Sequence, residues 1–134
     1  MPIAWHELPN APAVGQLLGQ REDLADGSAQ MLELPGVPGA EPFRLLLLRS
    51  GQQVVAYANR CAHFGVPLAA KQVQLIYTPH AHLTCNVHYA RYRWRDGACE
   101  AGECHGESLI PIPLEVAADG SLRIADNGPD HDPR

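Results

Sequence analysis

Short apolar stretches alternating with polar residues run through most of the chain, the period of half-buried β-strands rather than of helices. The pattern is sharpest after residue 29, where 31–34, 43–48 and 54–58 read as strands and Pro35-Gly36-Val37-Pro38-Gly39 and Ser50-Gly51 as the turns between them. Further on, 68–70, 73–77 and 83–84 are short apolar pieces. Arg91-Tyr92-Arg93-Trp94-Arg95 alternates strictly, which puts three cations on one face and two aromatic rings on the other. Ile112, Leu114 and Val116, then Leu122 and Ile124 across Asp119-Gly120, predict a closing hairpin. Pro111 and Pro113 cannot donate to a ladder, so that strand belongs on an edge. Residues 1–28 carry the weakest pattern, with 5–8 able to form a first strand and 14–24 only loosely periodic. The segment from Asn127 has no large apolar residue and is expected to fray. No internal repeat is apparent.

Composition agrees with this reading. In 134 residues, 12 Gly and 12 Pro suit a loop-rich β protein, and the length suits one domain, assigned to residues 1–126 with a flexible tail at 127–134. A formal charge of −5 argues against nucleic acid and against anionic membrane surfaces. The start, Met1-Pro2-Ile3-Ala4-Trp5-His6-Glu7, lacks the basic and apolar regions of a signal peptide, and the longest apolar run, Leu45 to Leu48, is bounded by Arg44 and Arg49. A soluble, cytoplasmic protein is therefore expected, with neither membrane nor nucleic acid as partner.

The chemistry is concentrated in four residues. Cys61 and His63 form a Cys-x-His pair, and Cys85 and His88 a Cys-x-x-His pair beyond residues 64–84. Two thiolates and two imidazoles are the ligand set of a Rieske [2Fe–2S] centre, in which the cysteines hold one iron and the histidines the other. Neutral imidazoles in place of two thiolates make that iron easier to reduce. Gly65 lets the loop backbone come close to an inorganic sulfide, and Pro67 stiffens the loop exit. Zinc is the rival metal, but its motifs usually separate paired cysteines by two to four residues, and Cys-x-His is atypical there. An accidental set would need two matched pairs to coincide on successive loops.

On these motifs, Asn59-Arg60-Cys61-Ala62-His63-Phe64-Gly65-Val66-Pro67-Leu68 and Cys85-Asn86-Val87-His88-Tyr89-Ala90-Arg91-Tyr92, with a glycine-containing third loop near Gly102, the chain resembles the Rieske ferredoxins from about residue 43 to 124. The resemblance implies an all-β Rieske fold: a small antiparallel β-sandwich or barrel base carrying a cluster-binding subdomain, here about 59–107. It also implies one [2Fe–2S] cluster on Cys61, His63, Cys85 and His88. Val66 and Val87 stand where respiratory Rieske subunits have a disulfide, and Ala90 where they have a serine hydroxyl directed at a bridging sulfide, although Tyr92 matches their cluster-facing tyrosine. Losing that donor removes stabilisation of the reduced state, so the potential should lie toward the low end of the Rieske range.

Cys99 and Cys104 are spaced to permit a disulfide, but a cytoplasmic setting favours free thiols. Arg91, Arg93 and Arg95 could steer an acidic partner, though a solvated strand face explains them as well. His80, His82 and His105 read as exposed loop histidines, since four ligands already complete the cluster, and Phe64 and Tyr89 as a collar around it or as loop packing. The expected function is one-electron transfer by a soluble ferredoxin, from a reductase to an oxygenase or related acceptor, with no bond chemistry of its own. The chain has no room for an oxygenase catalytic domain and no 2-His-1-carboxylate pattern. A docked small subunit of a nitrite-reductase-type enzyme and a cluster-bearing redox sensor are the alternatives.

Overall fold

The computed structural model describes residues 5–8, 11–34, 39, 42–60, 68–69, 71–85, 90–101 and 107–125. Within them the chain forms three antiparallel sheets. The first contains β1 (Leu17–Gln20), β11 (Ser121–Ile124) and β10 (Leu114–Val116), in that order. The second runs β2 (Ala29–Leu34), β3 (Phe43–Ser50), β4 (Gln53–Ala58), β9 (Pro111–Ile112). The third is β5 (Ile76–Thr78), β6 (His82–Thr84), β7 (Arg91–Arg93), β8 (Cys99–Ala101). No described helix is long and apolar enough to cross a membrane. The tail expected to fray lies outside the described residues.

Strand β3 explains how the sheets are joined. Its run Leu45–Leu48 is buried on both faces, so alternation gives way to an unbroken apolar stretch. Leu45 and Leu47 enter a base core with Phe43, Ala56, Ile112, Leu122 and Ile124. Leu46 and Leu48 enter a second core with Tyr57, Leu68, Leu83, Cys85, Tyr92, Trp94 and Leu109. One strand thus presents a hydrophobic face to each half of the molecule. Burying each leucine stabilises by roughly 1.5–3 kcal/mol, which makes the second core a sufficient anchor for a subdomain whose own strands are short.

Three expectations need correction. Residues 5–8 do not form a strand: Trp5–Glu7 is a 3₁₀ turn, closed by the Leu8 N–H on the Trp5 carbonyl at 3.2 Å. Trp5 and Leu8 are both buried while His6 and Glu7 are exposed, a spacing of three that no strand can place on one face. Nor is the apolar piece 73–77 one element: Val73 belongs to a 3₁₀ turn, Gln72–Gln74, and the strand begins only at Ile76. The Gln72 side chain accepts from the Met31 N–H at 2.6 Å and donates to the Ala29 carbonyl at 3.0 Å, so its amide does what a further strand would do at the β2 edge. Finally, the strand foreseen through 112–116 is divided at Pro113, with β9 at the edge of the base sheet and β10 at the edge of the first sheet. Pro111 thereby falls on an edge strand and Pro113 in the break between strands, so neither has to donate an N–H to an interior ladder.

Candidate metal centre

The register of the third sheet fixes where its connections leave. Ile76 pairs with Thr84, Thr84 with Arg91, and Arg91 with Ala101, so these four residues form one row across the sheet. The chain passes beyond that row after Thr84, returns before Arg91, and passes it again after Ala101. The described chain ends at Cys85, Ala90 and Ala101, which flank positions 86–89 and 102–106, therefore lie at the same end of the sheet. The first of these segments connects Cys85 to Ala90, whose carbonyl accepts the Cys85 N–H at 2.8 Å. The mouth of the other is closed by the Cys99 N–H on the Glu107 carbonyl at 2.8 Å, next to an Ala98–Ser108 bridge.

Of the four expected ligands, Cys61, His63 and His88 lie outside the described residues, and Cys85 lies within them. Cys85 is fully buried, is not in a disulfide, and sits directly beyond β6. Alternation along β6 turns Leu83 and Cys85 inward together, and both belong to the core that also holds Leu68, Ala69, Ala90 and Tyr92. Leu68 and Ala69 mark the return of the first motif's loop, while Cys85 and Ala90 are the two ends of the second. The same buried set thus contains both ends of the second loop and the return end of the first. A thiol held there, between strand ends and away from water, suits a soft metal ligand better than a structural disulfide, and its donor type fits iron of a sulfide-bridged cluster.

The first loop is bounded differently. Asn59, at the end of β4 and 2% exposed, accepts the Leu68 N–H on Oδ1 at 2.9 Å and donates Nδ2–H to the Ala69 carbonyl at 3.1 Å. Its own N–H donates to the Arg44 carbonyl of β3 at 3.0 Å. Below it, Tyr57 Oη donates to the Trp94 carbonyl at 2.6 Å, tying β4 to the turn after β7. Burial, and secondarily the Asp96 carboxylate, push the Tyr57 phenol well above its ordinary range. Sequence reasoning missed both residues as determinants of the site. The signal for Asn59 was present, a polar amide directly after an apolar strand and two residues before the expected ligand Cys61.

The remaining candidates resolve into structure. Arg93 makes a bidentate pair with Asp96 at 2.7 and 3.1 Å, and Arg91 lies 3.8 Å from Glu100, so two of the three cations are compensated. The Arg93 hydrogen bond, and then the Ala98 N–H, hold the Asp96 carboxyl below its usual range. His82 lies on β6, not in a loop, and pairs with Glu100; His80 Nδ1 is 2.8 Å from Ser50 Oγ. His80 is also the one non-glycine among the described residues with positive φ, at 67°, a conformation that its partners Ser50 and Trp94 hold in place. His105, Phe64 and Tyr89 lie outside the described residues. Cys99 overturns an expectation: it is disulfide-bonded, its partner lying outside the described residues. Closure of the β8 loop at Cys99–Glu107 folds the chain back on itself there, a local constraint that an argument from cellular compartment does not weigh.

Solved structures with the same fold include the ferredoxin of carbazole 1,9a-dioxygenase from Nocardioides aromaticivorans IC177, 17% identical with a TM-score of 0.63 over 86% of this chain and all of that one. A complex of reduced oxygenase and oxidized ferredoxin in carbazole 1,9a-dioxygenase matches with 19% identity and a TM-score of 0.62, over 84% of this chain and 93% of the other. The terminal oxygenase of carbazole 1,9a-dioxygenase from Novosphingobium sp. KA1 matches with 23% identity and a TM-score of 0.63, over 89% of this chain but 32% of the oxygenase. No curated protein matches the sequence. The family model of the Rieske [2Fe–2S] domain matches residues 15–117, a span that takes in both ligand motifs, all three loops and every described strand except β11. The chain belongs to that family, and its cofactor is one Rieske-type [2Fe–2S] cluster.

Proposed function

We propose that Cys61, His63, Cys85 and His88 hold the cluster and that the protein is a one-electron carrier, taking an electron from a reductase and delivering it to an oxygenase. The observation that carries this reading is the buried, unbridged Cys85 at the mouth of the second loop, in one core with the return of the first. When bound, the cluster supplies reversible one-electron chemistry. The chain's own part is to hold the ligands still: the Cys85–Ala90 bond closes the second loop, Asn59 spans the first, and the apolar core beneath them excludes water. Low water access and fixed ligands keep the cost of reorganisation on electron transfer small. An oxygenase acceptor is favoured because the fold matches a ferredoxin solved in complex with its oxygenase, and the match spans that ferredoxin-sized chain almost completely.

Anaerobic reduction followed by electron-paramagnetic-resonance spectroscopy, with iron and acid-labile sulfide quantified, tests the cluster. A Rieske spectrum with two irons per chain is expected, and a colourless protein containing stoichiometric zinc would refute the assignment. For the carrier role, purified protein should restore electron flow between a reductase and an oxygenase when added in free form. Obligate co-purification with one large enzyme would refute a diffusing carrier. The same reading places the protein in the cytoplasm, and the Cys99 disulfide makes that a sharp test, because such bonds persist mainly in oxidising compartments. Recovery in the periplasmic or membrane fraction would overturn it.

A further inference from the structure

The second and third loops are closed by main-chain hydrogen bonds, Cys85 to Ala90 and Cys99 to Glu107. The first loop, residues 60–67, has a side chain across its mouth. Asn59 reaches from the end of β4 to the N–H of Leu68 and the carbonyl of Ala69, so one planar amide spans the loop's two ends. Only an amide can accept and donate through one rigid fork: a carboxylate has no donor, and an apolar side chain has neither function. The setting raises the stakes, because Leu68 is fully buried and Ala69 is 2% exposed. Hydrogen bonds there act in a low dielectric, and a backbone group left without its partner bears the full cost of desolvation.

We propose that Asn59 is a positioning residue for the cluster, setting the separation of the two ends of the 60–67 loop and through it the placement of Cys61 and His63. The inference rests on the reading that this loop supplies two of the four ligands. It goes beyond that reading in naming the residue that keeps them in place. A loop of that length with free ends samples many conformations, and pinning its mouth removes most of that freedom before any metal is bound. Gln72 supplies an internal control. It makes the same kind of two-bond clamp, to Met31 and Ala29, but on the β2 edge and not across a ligand loop.

The test compares wild type with Asn59→Leu, Asn59→Ala and Gln72→Ala as holoproteins. Asn59→Leu keeps the branching and heavy-atom count of the side chain and loses both hydrogen bonds, which separates positioning from the loss of packing atoms in Asn59→Ala. Three quantities are measured: the rate at which the reduced protein yields iron to a ferrous chelator, the paramagnetic-resonance g-values, and the thermal midpoint by circular dichroism. The two Asn59 variants are expected to release iron roughly 10-fold faster or more, the range seen when support to a ligand is lost, with shifted g-values. Gln72→Ala is expected to lower the thermal midpoint while iron release and spectrum stay as in wild type. Wild-type release and g-values in Asn59→Leu would overturn the proposal, as would equal acceleration in Gln72→Ala at an equal loss of thermal midpoint. Should both Asn59 variants fail to fold, Asn59→Ser, with the smaller change in polarity, decides by the same two readouts. A wild-type protein with no iron–sulfur signal would instead refute the assignment of the cluster itself.

Discussion

Replacing Tyr57 by Phe removes one oxygen from the junction between the base and the half that contains Cys85. Tyr57 is 2% exposed, and its hydroxyl donates to the Trp94 carbonyl at 2.6 Å, so the variant leaves that carbonyl without this donor in an apolar surround. The ring stays, no cavity of consequence opens, and the cost is that of an unmet buried acceptor, roughly 1–3 kcal/mol. For a domain of this size that lowers the thermal midpoint by roughly 3–12 °C. The pH dependence has a definite sign. Burial raises the phenol's folded-state ionisation above the value of about 10 that it has in an unfolded chain. Above about pH 10 the folded protein therefore binds more protons than the unfolded chain, and stability falls as pH rises. The Tyr57 contribution is complete at pH 7 to 9 and is withdrawn progressively beyond pH 10. The Phe variant has no such proton, so the gap between the two proteins should narrow in alkali. Urea midpoints from pH 7 to 11, followed by circular dichroism, measure both effects. A gap below about 0.5 kcal/mol at neutral pH, or one that stays constant through the alkaline range, would refute the reasoning.

Gly97 has φ +74°, and a Cβ there would lie 2.7 Å from Tyr57 Cε1, so Gly97→Ala should cost roughly 1–3 kcal/mol in backbone strain alone and more in displaced packing; a urea midpoint equal to wild type would contradict this. Thiol titration of the metal-free, denatured protein without reductant should find two of the four cysteines unreactive, and all four reactive after reduction; four thiols at the outset would exclude the Cys99 disulfide. Ala90 is buried and stands where the resemblance to respiratory Rieske subunits puts a serine hydroxyl, so the midpoint potential should fall below about +100 mV, and Ala90→Ser should raise it; protein-film voltammetry measures both, and a drop on introducing the serine would contradict the expectation.

Motifs and faces were legible in the sequence where one residue's chemistry or one strand's period was sufficient. Tyr92 and Trp94 point inward and the arginines outward because alternation alone dictates it, even though β7 ends at Arg93. The ends of β2, β3 and β4 were marked by Ser50-Gly51 and by the Pro and Gly residues before Phe43. What escaped depended on partners distant in sequence. Gln72 reads as an ordinary polar residue until the β2 edge is beside it, and Trp5 as a strand residue until Leu8 is seen buried on the same side. Cys99 was judged by compartment, although its bonding is decided by which residue the chain brings next to it.

Leu45–Leu48 shows why the candidate site was easier to read than its support. The run is too short to span a membrane, and local pattern alone gives no reason for four consecutive leucines in a strand. The reason is that the strand is shared: two leucines close the base core, and two form the floor on which Cys85, Leu68 and Tyr92 pack. Ligand motifs are local and advertise themselves, whereas a doubly buried strand acquires meaning only from the two layers that cover it. Asn59 lies where these two kinds of information meet. It follows β4, the neighbour of that shared strand, and its backbone is tied to Arg44 at the start of the leucine run. Its side chain bonds to Leu68 and Ala69, beyond the first Cys/His motif. A shift of β3 by one residue would exchange the two leucine faces and move Arg44 with them, so the same packing that selects the register of the base also fixes where the first loop begins.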